Sequence, residues 1–237
     1  MRVREVLKYY SDISEKYDRL RFTSEKGRII SNLQIDWFIR NLKNEGLCLE
    51  IGCGTGRVTL FLIKNVNSLI CVDASRKMVE INRNKHASNN VHYIICDAHH
   101  LPFREKTFSS VVGARVFWHL ADFIKALREA SNVLKIGGVL LFDFPCLLGP
   151  FSLYSKLRRV KHGVLTLFTS RRIIKEIFES GYKITFFNNT SVFLFFVPDR
   201  WLKYKMIGKL VQLLEKLNYG FFNDCVFSYY LIKVVKS

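Results

Sequence analysis

The sequence predicts an α/β domain built on a doubly wound, mainly parallel β-sheet. The main observation is a repeat of short apolar segments that each carry an acidic residue at the carboxyl end. The segments are residues 47–51, 68–72 and 91–96, and the acids are Glu50, Asp73 and Asp97. Successive acids are 23 and 24 residues apart, the length of one strand–helix–strand unit. We therefore expect three parallel strands whose carboxyl ends lie at one edge of the sheet.

A glycine-rich turn follows the first predicted strand. Gly52, Gly54 and Gly56 alternate with Cys53 and Thr55, which allows positive φ angles and lets a ligand approach the backbone closely. Arg57 stands where the dinucleotide fingerprint G-x-G-x-x-G needs its third glycine. The carboxylate of Glu50 suits a ligand with an ammonium group and repels a phosphate. A purely structural turn without a ligand remains an alternative here.

Further segments complete a predicted single domain over residues 1–237. Two helical patterns fill residues 1–45, the glycine turn and strands form a core over 46–145, and a C-terminal part covers 146–237. We expect further strands at 108–114, 139–144, 182–187 and 225–235, a helix at 122–134 and an amphipathic lid helix at about 199–218.

Composition and charge narrow the function classes. The six cysteines are dispersed, without the spacing of a zinc site or a disulfide framework, so no metal is expected. The charged first residues do not read as a secretory signal, which predicts a cytoplasmic protein. The net charge is +17, and residues 146–237 hold 15 Lys and Arg against 5 Asp and Glu. This charge fits nucleic acid, an anionic membrane surface, an acidic substrate or a solvated face, and all four remain open.

Three motifs carry a family resemblance. They are E-x-G-x-G-x-G at residues 50–56, D-A-x-x-L-P-F at 97–103 and L-K-x-G-G at 134–138. Over residues 47–145 the chain resembles the class I S-adenosylmethionine (SAM) dependent methyltransferases, in the small-molecule branch typified by quinone and sterol methyltransferases. The resemblance implies a Rossmann-like seven-stranded sheet whose last strand is inserted antiparallel between strands five and six.

The resemblance also implies roles for residues. Asp73 would accept both ribose hydroxyls, Asp97 the adenine amino group, and Tyr17 would fold over the cofactor from an N-terminal helix. For Met78, simple core packing remains an alternative to a contact with adenine. The expected cofactor-binding set is Tyr17, Glu50, Gly52, Cys53, Gly54, Gly56, Asp73, Ala74, Met78, Asp97, Ala98 and Arg115.

The expected function is methyl transfer from SAM to a small apolar, aromatic or lipid-like acceptor. His119 is the predicted proton acceptor, and Arg115 is expected to orient an anionic substrate group; a packing role for His119 stays open. An RNA or tRNA methyltransferase would explain the charge, although the fourth strand lacks the Asn/Asp-Pro-Pro-aromatic motif. A non-catalytic SAM-binding module is a further alternative. Arg57 and Glu50 disfavour a nicotinamide oxidoreductase.

Overall fold

The computed structural model describes residues 3–22, 24–145, 182–190, 209 and 229–236. The N-terminal part is helical: α1 is Val3–Ile13, a 3-10 helix spans Ser14–Lys16, α2 is Tyr17–Phe22 and α3 is Glu25–Asn41. Ser24 caps α3 by accepting a hydrogen bond from the Gly27 N–H group. Lys209 is helical and exposed, and the rest of the predicted lid helix lies outside the described residues.

The core alternates strands and helices. The strands are β1 (Leu47–Ile51), β2 (Ser68–Asp73), β3 (Val91–Ile95), β4 (Phe108–Gly113), β5 (Leu134–Pro145), β6 (Tyr182–Thr190) and β7 (Tyr229–Lys236). The helices are α4 (Thr59–Leu62), α5 (Arg76–His86) and α6 (Phe123–Val133), with a 3-10 helix at Phe117–His119. Ser75 and Asp122 cap α5 and α6 through their side chains.

The described strands form one seven-stranded sheet in the order β3-β2-β1-β4-β5-β7-β6. Strands β1 to β5 pair in parallel, and β7 pairs antiparallel with both β5 and β6. The predicted insertion of an antiparallel last strand is confirmed. The direction of the chain connections reverses between β1 and β4, and in open α/β sheets ligands bind at such a reversal.

Apolar clusters cover both faces of the sheet. One contains Leu49, Ile51, Val111 and Phe142 with Ala126, Leu127 and Ala130 of α6. The other contains Cys48, Cys71, Val112 and Leu141 with Ile35, Trp37 and Phe38 of α3. Because neighbouring residues of a strand point to opposite faces, β1 and β5 contribute alternately to the two clusters. The helices α3 and α6 therefore lie on opposite faces of the sheet.

Several element boundaries differ from what the sequence pattern predicts. The helical pattern that follows the glycine turn, from residue 57 to about 64, gives only the short helix Thr59–Leu62, because the Lys64 and Asn65 N–H groups bond to the third residue before them and tighten the chain into a turn. Strand β5 begins at Leu134 instead of residue 139. Gly137, with φ of 69°, lets the extra residues bulge between the pairs Phe108–Leu134 and Ser110–Val139.

No helix within the described residues is long and apolar enough to cross a bilayer. The predicted cytoplasmic location and the single-domain division remain predictions.

Candidate functional site

A cavity of about 150 Å³ opens at the carboxyl ends of β1 to β4, where the chain connections reverse. Its walls are largely apolar, with Ile51 and Val72 from the strand ends and Val116 and Leu120 from the segment after β4. A few polar side chains converge on it from the ends of β2, β3 and β4. This combination of apolar walls with a few placed polar groups is typical of a small-molecule site.

The glycine turn forms the floor of the cavity. Gly52 has φ of 68° and Gly54 has φ of 52°, both in the left-handed region. The N–H groups of Gly52 and Cys53 donate to the Val72 carbonyl at 2.8 and 3.0 Å, which fixes the turn to β2. A Cβ added at Gly54 would meet no atom within 4 Å, so Gly54 faces open space from which a ligand can approach the backbone.

Gly56 serves packing. Its φ is 94°, and a Cβ there would lie 2.4 Å from Asn82 Oδ1 and 2.4 Å from His86 Cδ2. The third glycine of the motif therefore allows the turn to pack directly on α5, away from the cavity walls.

Asp73 is held rigidly at the end of β2. Its Oδ1 accepts the Ser75 N–H and its Oδ2 accepts the Gly54 N–H, each at 2.9 Å. Burial raises the pKa of Asp73, and the backbone N–H groups partly oppose the rise. The carboxyl thus joins β2 to the glycine turn and lines the cavity, where its remaining lone pairs can accept hydroxyl groups.

Asp97 is fixed by His99, for which no role was predicted from the sequence. Asp97 Oδ1 accepts the His99 N–H at 2.9 Å and lies 2.6 Å from His99 Nδ1. Burial acts to raise the pKa of Asp97, but these contacts with His99 bring it below its usual value. Asp97, Ala98 and His99 all line the cavity.

The structure corrects the expected position of Glu50. In β1 the neighbouring Ile51 lines the cavity, so the side chain of Glu50 points to the opposite face of the strand. Glu50 is 2% exposed, and its Oε2 accepts hydrogen bonds from Thr59 Oγ1 at 2.6 Å and from Cys71 Sγ at 3.5 Å. Burial raises the pKa of Glu50 to about 7, although the Thr59 and Cys71 bonds lower it.

The N-terminal helices close over the glycine turn. Asp18 accepts a hydrogen bond from Thr55 Oγ1 at 2.6 Å and pairs with Lys85 Nζ at 2.6 Å. Arg57 turns its guanidinium away from the cavity, donating to Ser31 Oγ at 2.9 Å and to Gln34 Oε1 at 2.7 Å. The glycine turn together with Asp73 and Asp97 is called the cofactor cradle below. The N-terminal helices therefore close one side of this cradle.

Residues 114–121, the segment after β4, form a second wall of the cavity, which is called the opposite wall below. His119 Nε2 lies 2.9 Å from Tyr10 Oη of α1, and the His119 ring lies 3.8 Å from the Trp118 ring. Arg115 lines the cavity in a left-handed conformation, with φ of 56°. His119 ends a 3-10 helix instead of starting an α-helix, since α6 begins only at Phe123.

Most predicted site residues line this cavity. They are Tyr17, Gly52, Gly54, Asp73, Ala74, Met78, Asp97, Ala98, Arg115 and His119. Glu50, Cys53 and Gly56 do not: Cys53 is 4% exposed, and its thiol contacts Cys71. The cavity also takes in residues that were not predicted, among them Tyr10, Ser75 and His99. The N-cap pattern at Ser75 and the position of His99 directly after Asp97-Ala98 were local signals for two of them, whereas the contact of Tyr10 with residue 119 has no local signal.

The side chains of the cavity fit a nucleoside with cationic groups better than a dinucleotide. Two carboxylates, Asp73 and Asp97, face it, and Arg115 is the one Lys or Arg among its described lining residues. A pyrophosphate at the glycine turn would meet the Asp73 carboxylate, whose Oδ2 accepts the Gly54 N–H, whereas hydroxyl and amino donors find an acceptor there. Such a cradle, at the end of a sheet with an inserted antiparallel strand, fits the class I SAM-dependent methyltransferases that the sequence resembles.

Comparisons with known proteins agree with this class. Residues 49–142 match the family model of the methyltransferase domain. The demethylmenaquinone methyltransferase of Staphylococcus aureus (strain MRSA252) is 35% identical over 147 residues, 58% of each chain. The chain therefore spans little more than half the length of this curated relative.

Two solved methyltransferase structures share the described fold at low sequence identity. A SAM-dependent methyltransferase of Thermotoga maritima, described as a possible histamine N-methyltransferase, has a TM-score of 0.71 at 20% identity, covering 98% of this chain and all of that one. The methyltransferase in the complex with the Haloferax volcanii Trm112 methyltransferase activator has a TM-score of 0.68 at 15% identity, covering 98% and 97%. These findings support the predicted class, the class I SAM-dependent methyltransferases, and the predicted cofactor, SAM.

Proposed function

We propose that the protein transfers a methyl group from SAM to a small aromatic acceptor of the quinol type. The observation that carries the proposal is the continuity of one cavity from the Asp73–Asp97 cradle to the Tyr10–His119 pair. The wall near that pair is aromatic and apolar, with Tyr10, Val116 and Leu120. The name of the demethylmenaquinone methyltransferase relative supports the same acceptor class.

The residues at the ends of β2 and β3 would hold the cofactor. Asp73 would accept ribose hydroxyls, and Asp97 with Ala98 would bind the adenine ring; Met78 and Tyr17 line the same cavity. When bound, SAM supplies an electrophilic methyl carbon on a sulfonium, whose leaving group needs no protonation. The protein's task is to align the acceptor within about 3–3.5 Å of the methyl group and to exclude water.

His119 is the proposed proton acceptor for the acceptor's ring hydroxyl. Its Nδ1 is enclosed by protein, so Nε2, which already contacts the Tyr10 hydroxyl, is the nitrogen that can receive a proton. Loss of that proton makes the ring oxygen and its neighbouring carbons more nucleophilic. Arg115 would then stabilise the negative charge of the ionised acceptor.

The test is transfer of labelled methyl from SAM to a naphthoquinol that lacks one ring methyl group. We expect His119→Gln to lower kcat by about 10²-fold or more, since general base catalysis contributes that much, and Tyr10→Phe to have a smaller effect. Binding of the demethylated product, measured by calorimetry, should change less than about threefold in both variants.

Two outcomes would contradict the proposal. Wild-type protein that binds SAM but transfers methyl to no quinol or other small acceptor would favour a non-catalytic SAM-binding module. If His119→Gln turns over at the wild-type rate, His119 is not the proton acceptor, and the cofactor assignment stays intact.

The net charge of +17 favours RNA as a second candidate acceptor. The fold neighbour solved in complex with the Trm112 methyltransferase activator adds an activator protein as a candidate partner. RNA binding by phosphate neutralisation should weaken linearly with the logarithm of salt concentration. Methyl transfer to RNA with such a slope, in the presence or absence of an activator, would replace the quinol assignment.

A further inference from the structure

A buried carboxyl on β5, Asp143, has no part in the site described so far. It is 0% exposed, and its neighbours Phe142 and Phe144 belong to the α6-side cluster, so Asp143 points to the opposite face, the side of α3. Burying a carboxylate is costly unless it is paired and hydrogen-bonded. The partners of Asp143 therefore indicate what it does.

The first partner is the backbone of Arg115. The described β4–β5 ladder ends at the pair Gly113–Phe142, and beyond it the Arg115 N–H donates to Asp143 Oδ1 at 2.5 Å. The Asp143 side chain thus accepts an N–H group that a main-chain carbonyl of β5 would accept if the ladder continued. The bond coincides with the left-handed φ of 56° at Arg115, a conformation that residues with side chains rarely adopt.

The second set of partners is electrostatic. Burial raises the pKa of Asp143, and the guanidinium groups of Arg115 and Arg57 both act to lower it. Arg57 follows the glycine turn and is bonded to Ser31 and Gln34 of α3. Asp143 therefore attracts both Arg57, which follows the glycine turn, and Arg115 of the opposite wall. Its negative charge offsets part of the repulsion between these two arginines.

The segment that begins at Arg115 carries the opposite wall. A Cβ added at Gly52 would lie only 2.5 Å from Cγ2 of Val116, so this segment packs directly on the glycine turn. Three residues further on, His119 reaches Tyr10. The backbone direction set at Arg115 thus decides where Val116 and His119 stand relative to the cofactor cradle.

We propose that Asp143 is a positioning residue that holds residues 114–121 against the glycine turn through the Arg115 backbone, and so aligns the acceptor wall with the methyl group. The proposal rests on the proposed function for its catalytic consequence. The structural part, a carboxylate that fixes the turn after β4, is independent of the acceptor.

The test compares Asp143→Leu, which removes the acceptor atom, with Asp143→Asn, which keeps an amide oxygen. Hydrogen exchange of the peptide covering 114–121 should speed up by about tenfold to a hundredfold in Asp143→Leu, the range for an unsatisfied buried partner. In Asp143→Asn the increase should be smaller but measurable, about threefold to tenfold, because a neutral acceptor binds more weakly.

Function is read out separately. Affinity for the demethylated cofactor product should stay within about threefold in Asp143→Asn, while kcat with a naphthoquinol falls and its KM rises. The matched control is Asp122→Ala, which removes another carboxylate that accepts a backbone N–H group, that of Lys125 at 2.9 Å, at the start of α6. It should lower the unfolding midpoint while exchange at residues 114–118, the part of the 114–121 segment that contains Arg115, stays as in wild type.

Each remaining outcome decides the question. Wild-type exchange at 114–121 in either Asp143 variant that folds would overturn the proposal. So would faster exchange spread equally over β4 and β5, which would make Asp143 a general stability element, or faster exchange at 114–121 with unchanged kcat and KM. If wild-type protein methylates no small acceptor, the proposed function fails, and the exchange result alone confirms or overturns the role of Asp143 in holding the turn.

Discussion

Replacing Glu50 with Gln should change how stability depends on pH. Glu50 is 2% exposed behind the glycine turn, with hydrogen bonds from Thr59 and Cys71. Burial raises its pKa from 4.5 to about 7, against the lowering effect of those two bonds. In the unfolded chain the carboxyl ionises near its ordinary value, so the folded and unfolded states bind different numbers of protons between these two pH values.

The sign follows from which state holds the proton. Between pH 4.5 and about 7 the folded state keeps Glu50 protonated while the unfolded state releases the proton, so the free energy of unfolding falls as the pH rises. Above about pH 7 the folded state also releases the proton, so the decrease in the free energy of unfolding reaches its full size. The interval from 4.5 to about 7 corresponds to about 3 kcal/mol at 1.36 kcal/mol for each pH unit. Gln at position 50 keeps an oxygen acceptor for Thr59 and does not titrate.

The measurement is urea unfolding followed by circular dichroism at several pH values from 4.5 to 8. The free energy of unfolding of Glu50→Gln minus that of wild type should rise by about 3 kcal/mol across this range. The control is Glu45→Gln, which removes an exposed carboxylate just before β1. A difference for Glu50→Gln that is the same at pH 5 and pH 8 would contradict this prediction, because Glu50 would then be ionised in the folded protein throughout.

Three further predictions concern the cradle. Gly56→Ala should lower the free energy of unfolding by at least about 1 kcal/mol in urea, since its φ is 94° and the new Cβ would lie 2.4 Å from Asn82 Oδ1; an unchanged midpoint would contradict the close packing. Asp73→Ala should weaken cofactor binding by about 1.5–3 kcal/mol in calorimetry, because it removes a charged hydrogen-bond acceptor; unchanged affinity would show that the second acid does not hold the ribose. Cys96 lines the cavity, so the demethylated product should protect its thiol from a maleimide, whereas Cys48, 0% exposed, should react slowly with or without ligand; equal labelling of Cys96 with and without ligand would place the ligand elsewhere.

The pattern of strands and of acids at strand ends could be read from the sequence. Strand boundaries at 47–51 and 68–73 agree with prediction within one residue, because buried parallel strands are continuous apolar runs and their limits are local. Asp73 and Asp97 could also be placed at the cavity, since the last residue of a parallel strand and the residues just beyond it lie at one edge of the sheet.

Glu50 shows why one residue in the same motif was misplaced. Its spacing is correct, but it lies within β1, one residue before the strand ends, and the alternation of the strand turns it to the face opposite Ile51. The turn geometry after the strand decides which side the ligand occupies. That geometry depends on the bonds from Gly52 and Cys53 to Val72, a residue on another strand.

The order of strands and helices, the glycine turn and the two acids that face the cavity could be predicted from local sequence, because each depends on neighbours within one strand–turn unit. The opposite wall depends on the packing of distant segments. Tyr10 meets His119 across 109 residues of sequence, and Asp143 meets Arg115 across 28. Contacts of this kind arise only when helices and strands from distant segments pack on one sheet, because they depend on the relative placement of whole elements and leave no periodic pattern in the chain.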